Sequence, residues 1–390
     1  MSFSAAAYSD PRRSLTHADV NRLAPHMNIL GLTSLPPDEQ TVQRAYKQAL
    51  RQNPGRVDAL RLAANVMATE ESRREFLRTA PMMPAPAPTL SLGVRKANHQ
   101  ITASCKVATQ GSGCPPCAVA SSRGCRPTME DAHIAGEPVG HMGHVFAVLD
   151  GHGGMRAAKL LSHQIPSTLA KHGADEGRLS KASATAAFAE LDERILGHTW
   201  EDGSCACVAV LSKEENGKRP TLQLLQLGDC NALLFRYTHS TEGFLAVAGD
   251  GQPLCTNHRP TEPSEATRLR AANAPVSATG RLAGLAVSRA FGDREHKRTL
   301  SRGHLLAEPE VIGPIELPAD AGILLIACDG LFDHLEPVQC CAVLNKFCKQ
   351  AGGAGVRSDL AKAASALVQA ALDEGSLDNV SVVLVDVAAP

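Results

Sequence analysis

Val145-Phe146-Ala147-Val148-Leu149-Asp150-Gly151-His152-Gly153-Gly154 combines a strand with the turn that ends it. Five apolar side chains in succession read as a buried strand. The run stops at an acid followed by glycines, which is turn chemistry. Past Gly154 an Ala/Leu-rich stretch predicts a helix, and Pro166 is expected to kink or end it because its ring removes an N–H from the ladder. A carboxylate held at the tip of a buried strand is a candidate for chemistry as well as for turning.

The arrangement recurs along the chain. Residues 222–227 and 232–235 are apolar runs flanking Gly228-Asp229, which predicts a hairpin-like pair of strands. Residues 323–328 form another buried strand, ending in Asp329-Gly330, and Asp378-Asn379 stands just before a final strand at 380–387. Helices are predicted at about 182–196, 337–349 and 357–373. Strands in sets followed by helices point to α+β layers rather than strict βαβ winding. Neighbouring strands would bring Asp150, Asp229, Asp329 and Asp378 together at one sheet edge. Such carboxylates repel and raise one another's pKa unless cations neutralise them. Hard oxygen ligands without a matching His/Cys set select Mg²⁺ or Mn²⁺ over zinc. Glu130-Asp131, a few residues after Arg126, supplies two more acids. One Asp-Gly is a turn; four such acids with a Glu-Asp pair point to a metal centre.

Composition narrows the partners. Lys plus Arg total 39 against 40 Asp plus Glu, a net charge of −1, so no bulk electrostatic case exists for nucleic acid or a membrane surface. Aromatics are 3%, too few for base-stacking platforms. No apolar run approaches the ~20 residues of a membrane span. The 12 cysteines, several inside apolar runs, and a start unlike a signal peptide predict an intracellular chain with reduced thiols, cytoplasmic or nuclear. Balanced charge and the lack of heptads predict a monomer.

Four prolines in the eight residues from Pro81 to Pro88 mark a linker. The expected domains are therefore a small all-α region at 1–80, a Pro-rich linker at 81–92 and a mixed domain at 93–390. In the first, Val42, Ala45, Tyr46, Ala49 and Leu50 fall at helical spacing. Asn28-Ile29-Leu30-Gly31-Leu32, Arg44-Ala45-Tyr46-Lys47 and Arg73-Arg74-Glu75-Phe76 resemble a J-domain whose His-Pro-Asp turn is replaced by Asn53-Pro54-Gly55. A three-helix bundle of no special kinship fits equally. Either way the region is expected to dock a protein partner or restrain its neighbour.

Within the mixed domain, seven motifs stand in order. They are Arg126-Pro127-Thr128-Met129-Glu130-Asp131-Ala132-His133, the stretch 146–154, Gly203-Ser204-Cys205-Ala206, Leu227-Gly228-Asp229-Cys230-Asn231, Leu285-Ala286-Val287-Ser288-Arg289-Ala290-Phe291-Gly292-Asp293, Cys328-Asp329-Gly330-Leu331-Phe332-Asp333 and Asp378-Asn379-Val380-Ser381. Together they resemble the metal-dependent protein serine/threonine phosphatases of the type 2C (PPM) family over residues 93–388. The resemblance implies a four-layer αββα sandwich of two antiparallel sheets flanked by helices. It implies an enzyme that hydrolyses phosphoserine and phosphothreonine on proteins through a hydroxide held by two Mn²⁺ or Mg²⁺ ions. By position, Asp150 would bridge the ions, the Gly151 carbonyl would bind one, and Asp329 and Asp378 the other. Glu130 and Asp131 would hold metal-bound waters, and Asp229 with Asp329 a weaker third ion. Arg126 is the implied phosphate-binding guanidinium, since a planar fork suits phosphate. His152 is the implied general acid. The rival reading is a pseudophosphatase that keeps the fold for binding.

The chain departs from the family pattern at a few positions. Cys230-Asn231 stands where Ser-Arg is usual, Cys205 where Thr is, Asn257 where Asp is common, and Phe332 where Trp is. None is a metal or phosphate position, and Asn257 borders the flap, where substrate choice is at stake. Cys114-Pro115-Pro116-Cys117 has redox-pair spacing without the helix such a pair caps. The run Arg294, His296, Lys297 and Arg298 is expected to be a solvated loop beside the flap.

Overall fold

Period-2 alternation decides which way each strand faces. In β4 (His144–His152), Val145, Ala147 and Leu149 join a core shared with helices, whereas Phe146 and Val148 join a core shared with a second sheet. In β11 (Ala321–Ala327), Ile323, Leu325 and Ala327 face helices, and Leu324 and Ile326 face the opposite sheet. Strands covered on both faces must be apolar throughout, which is why these runs show no polar alternation.

The computed structural model describes residues 100–106, 113–173, 178–212, 219–239, 245–248, 253–350 and 359–388. The expected helices and J-like pattern at 1–80 and the linker at 81–92 lie outside the described residues. One antiparallel sheet runs in the order β1 (Ile101–Lys106), β2 (Cys117–Ser122), β12 (Val380–Asp386), β11, β7 (Asn231–His239), β8 (Leu245–Ala248). The other runs β10 (Glu310–Glu316), β6 (Thr221–Leu227), β5 (Gly203–Leu211), β4, β3 (Ala132–Pro138), with β9 (Phe291–Gly292) paired to β5. Helices α1 (Arg156–His172) and α2 (Lys181–Leu196) cover the second sheet through Leu161, Ile165, Leu169, Phe188 and Leu191. The first sheet is covered by α6 (Pro337–Gln350) and α7 (Leu360–Asp373) through Cys340, Leu344, Leu367 and Val368. The described residues thus form a four-layer αββα sandwich, as expected. Three shorter helices are α3 (Pro263–Ala271), α4 (Arg294–Thr299) and α5 (Asp329–Phe332). No helix among the described residues is long and apolar enough to cross a membrane.

Three local expectations need correction. Residues 222–227 and 232–235 are not a hairpin: β6 pairs with β5 and β10, whereas β7 pairs with β11 and β8 in the other sheet. The Gly228-Asp229 corner carries the chain from one sheet to the other, held by Gln226 Nε2 donating to the carbonyls of Gly228 (3.1 Å) and Cys230. Pro166 does not end α1, which continues to His172. Buried Ile165, Thr168 and Leu169 on its sheet-facing side outweigh one lost backbone bond. The basic run after Asp293 is the short helix α4 rather than a loop; it stays solvated as expected, with Arg298 70% exposed, while Lys297 Nζ is drawn in to both oxygens of Asp192 at 2.7 and 2.8 Å.

Candidate metal centre

Register brings the acids together. Ala132 pairs with Leu149 across β3 and β4, so one step further sets Asp131 opposite Asp150, and two set Glu130 opposite Gly151. Ala327 pairs with Asn231 across β11 and β7, so two more steps set Asp329 opposite Asp229. Asp378 enters from the start of β12, which lies beside the end of β11. The cluster therefore sits at one open end of the sandwich, fed by both sheets, rather than along the edge of one sheet. Ligand atoms of Asp150, Asp229 and Asp329 lie within 4.8 Å of one another, and so do those of Asp131, Asp150 and Cys328.

Two glycines permit the close approach. A Cβ on Gly151 would stand 2.3 Å from the Glu130 carbonyl, and one on Gly330 2.0 Å from the Asn379 carbonyl. Both contacts are with backbone, which cannot swing aside, so neither position admits a side chain. Asn379 stitches the centre further. Its Oδ1 accepts the Glu130 N–H (2.7 Å), its Nδ2 donates to the carbonyls of Arg123 (2.9 Å) and Thr128 (3.0 Å), and its N–H donates to Asp378 Oδ1 (2.7 Å). The Thr128 hydroxyl donates to Glu130 at 2.8 Å.

The electrostatics are those of a site built for cations. Burial, and then the charges of Asp329, Asp131, Asp229 and Asp378, hold Asp150 well above the usual carboxylate range. Burial, then Asp229 and Asp333, do the same to Asp329, against the opposing pull of Arg259. Asp131 is raised from 3.8 to about 7, chiefly by burial; the Ser381 hydroxyl and Cys328 thiol nearby pull it down, and Asp378 pushes it up. Both carboxylate oxygens of Asp131 are buried without a hydrogen bond of ordinary length. Oxygen atoms this costly to bury, facing other acids and approached only loosely by a hydroxyl and a thiol, fit a divalent cation and its water. Cys328 lies among them as a thiol, its pKa pushed well above 9.0 by burial and then by Asp131, Asp150 and Asp329. Burial and acidic neighbours thus work against the thiolate, which is the nucleophilic form.

Beyond the acids, Arg126 donates from Nη2 to Asp378 Oδ2 at 2.6 Å, with 57% of its side chain exposed at the mouth. His152 Nε2 meets both oxygens of Asp293 at 2.8 and 2.9 Å. Burial lowers the His152 pKa, but the hydrogen bond and charge of Asp293, with Asp229 and Glu130 behind it, outweigh burial and raise it. Asp293 is buried, in a left-handed backbone conformation at φ 54°, and its N–H donates to the Asp202 carbonyl at 3.1 Å. A non-glycine residue there is strained, a cost often met at working sites. Asp202 accepts the backbone N–H (2.9 Å) and Nε (3.0 Å) of Arg156, tying the start of α1 beside the end of β4, which carries His152.

The family model for protein phosphatase 2C (PP2C) matches residues 117–380. The chain belongs to the protein phosphatase 2C family. PP2C proteins are metal-dependent protein serine/threonine phosphatases, and the acidic end of this sandwich lies within the matched region. The chain is 30% identical to the integrin-linked kinase-associated serine/threonine phosphatase 2C of Bos taurus, over 68% of this chain and 75% of that protein. It is 28% identical to the probable protein phosphatase 2C 30 of Arabidopsis thaliana, over 67% of this chain and 64% of that one. In fold it is similar to a Toxoplasma gondii phosphatase (TM-score 0.58, 21% identity, covering 73% of this chain and 95% of that one). A second Toxoplasma gondii structure, of a serine-threonine phosphatase 2C, aligns with TM-score 0.54 at 17% identity, over 74% of this chain and 99% of that one.

The structure gathers Glu130, Asp131, Asp150, Gly151, Asp229, Asp329 and Asp378 at one end, with Arg126 and His152 at its rim. Five further residues have no role assigned from sequence. Asp293, Asn379 and Asp333 stand inside quoted PP2C motifs, so their positions were visible but their partners were not. Arg259 stands in the stretch 256–260 that borders the flap, likewise without its partners being visible, and Asp202 carries no such signal. Two departures from the PP2C pattern also meet: Asn231 Nδ2 donates to Asn257 Oδ1 at 3.0 Å. Where the family pattern has Arg and Asp, this chain has a neutral amide pair.

Proposed function

We propose that the chain hydrolyses phosphoserine and phosphothreonine on protein substrates by direct in-line attack of water on phosphorus, using two Mn²⁺ or Mg²⁺ ions. The observation that supports this best is the convergence of Asp131, Asp150, Asp229 and Asp329 from both sheets, with the buried Asp131 oxygens making no hydrogen bond of ordinary length. Asp150, the Gly151 carbonyl, Asp329 and Asp378 would hold the ions, with Glu130 and Asp131 orienting their water. When bound, such ions acidify water and neutralise phosphoryl oxygens.

This chain's own groups do the rest. Arg126, exposed at the mouth, would offer its planar fork to the phosphate and turn away from Asp378 to do so. His152, whose pKa the Asp293 carboxylate raises, would hold the proton and deliver it to the departing serine or threonine oxygen. Asp293 would hold the ring by Nε2, leaving Nδ1 as the atom that donates. No covalent phosphoenzyme is needed, in keeping with the full burial of the Cys328 thiol.

The test is phosphate release from a phosphothreonine peptide with Mn²⁺ or Mg²⁺, then with EDTA, alongside Asp150→Ala. Release that EDTA and the substitution both abolish is expected. Wild type that binds Mn²⁺ yet releases no phosphate would instead make the fold a binding module.

A further inference from the structure

Arg259 enters the acidic end from the 253–309 segment between β8 and β10. Its Nε donates to Asp229 Oδ2 at 3.0 Å, its Nη2 meets both oxygens of Asp333 at 2.9 and 3.0 Å, and Nη2 lies 3.4 Å from Asp329 Oδ2. One guanidinium thus spans three carboxylates from two places in the fold: Asp229 in the β6–β7 corner, and Asp329 and Asp333 at the start and C-cap of α5. Asp229 is buried, and only 28% of the Arg259 side chain is exposed. Burial disfavours the charge on Arg259, yet Asp229, Asp333 and Asp329 more than restore it.

The preceding residue fixes this geometry. The His258 N–H donates to the Gly228 carbonyl (2.7 Å), and the Gly228 N–H donates to His258 Nδ1 (3.1 Å). The His258 carbonyl accepts from both the N–H (2.8 Å) and hydroxyl (2.9 Å) of Ser288. Arg259 is therefore projected from an anchored backbone and is not a loose surface side chain. Its fork is rigid and permanently charged, which suits it to bridge carboxylates in the way a metal ion does.

Charge counting supports the same assignment. Glu130, Asp131, Asp150, Asp229, Asp329, Asp333 and Asp378 against Arg126 and Arg259 leave five net negative charges when all are ionised. Two divalent cations reduce that to one. A third ion added beside a retained Arg259 would overshoot to net positive.

We infer that Arg259 is the resident cation of the third subsite: a third divalent ion binds only by displacing its guanidinium from Asp229, Asp329 and Asp333, and that displacement unties the 253–309 segment from the metal centre. This rests on the reading above that the centre takes divalent cations. The segment carries α3, α4 and Asp293, so the state of the third subsite is linked to the loop that holds His152.

Mn²⁺ binding to the full-length protein, followed by the electron paramagnetic resonance signal of free Mn²⁺, tests it. Wild type should show two tight sites and a weak third. Arg259→Gln should tighten the third site about tenfold or more, and adding Asp333→Asn should reverse the gain. Arg259→Lys, which keeps the charge and loses the fork, should fall between. Hydrogen exchange supplies a second readout: amides of 253–309 should lose protection in wild type as the third site fills, and in Arg259→Gln without Mn²⁺. A third-site affinity within twofold of wild type in folded Arg259→Gln overturns the inference. If that variant does not fold, unchanged affinity in Arg259→Lys does so. Wild type that takes up no Mn²⁺ overturns the metal-centre reading itself, a distinguishable result.

Discussion

Replacing Asp131 by Asn should stabilise the metal-free protein while removing part of its machinery. The folded-state pKa of Asp131 is about 7 against an ordinary 3.8. Because the folded pKa is raised, the folded state holds this proton more tightly than the unfolded chain. The carboxyl therefore costs nothing below about pH 4, costs progressively more as pH rises, and costs its full amount above pH 7. Three pKa units correspond to about 4 kcal/mol. The neutral amide escapes that cost but leaves buried polar atoms of its own, worth about 1–3 kcal/mol. A net gain of about 1–3 kcal/mol at pH 8 remains, or roughly 2–4 °C in Tm per kcal/mol. The assay is thermal unfolding in EDTA from pH 4 to 8. Wild-type stability should fall across that window, with Asp131→Asn showing a flatter profile and a higher Tm at pH 8. Mn²⁺ should narrow or invert the gap, because the ions stabilise only the acid-bearing site. A variant less stable than wild type at pH 8 in EDTA, with an unchanged pH slope, would refute the account of Asp131 as a carboxylate kept for a cation.

Three other outcomes follow from named contacts. Asp293→Asn should lower kcat on a phosphothreonine peptide about 10–100-fold, as expected for losing a charge-assisted bond to the proton donor, with KM changing less. Equal kcat in wild type and variant would remove Asp293 from the mechanism. Asp202→Ala deletes the acceptor of the Arg156 N–H and should cost about 1–2 kcal/mol in denaturant unfolding. Its ion pair adds little, because Arg156 is half exposed and returns to water. Finally, alanine substitutions at Asn231 and Asn257 should show a coupling of about 0.5–1.5 kcal/mol in a double-mutant cycle, and strict additivity would mean that the amide pair contributes nothing.

Much of this site was legible before any fold was known. Asp150, Asp329 and Asp378 each adjoin an apolar run that must be buried, so their carboxylates had to emerge at strand ends. Glu130-Asp131 was visible as a pair, although only register shows it facing Gly151 and Asp150. The roles of Asp293 and Asn379 were not readable, because an acid or amide inside a motif does not announce its partner. Asp293 meets a histidine 141 residues away, and Asn379 binds a loop some 250 residues away. Gly228-Asp229 misled for the opposite reason: a corner between two sheets and a hairpin turn use the same residues.

Sequence by itself determined the layered α+β character, the strands buried on both faces and the oxygen-rich chemistry of the centre. These follow from apolar periodicity and residue type, which act locally along the chain. Tertiary structure alone decided which sheet each strand joined, that Arg259 lies among three of the acids, and that Asn231 faces Asn257. Those outcomes depend on how distant elements register and on which charge reaches which pocket, and no local stretch of chain encodes either.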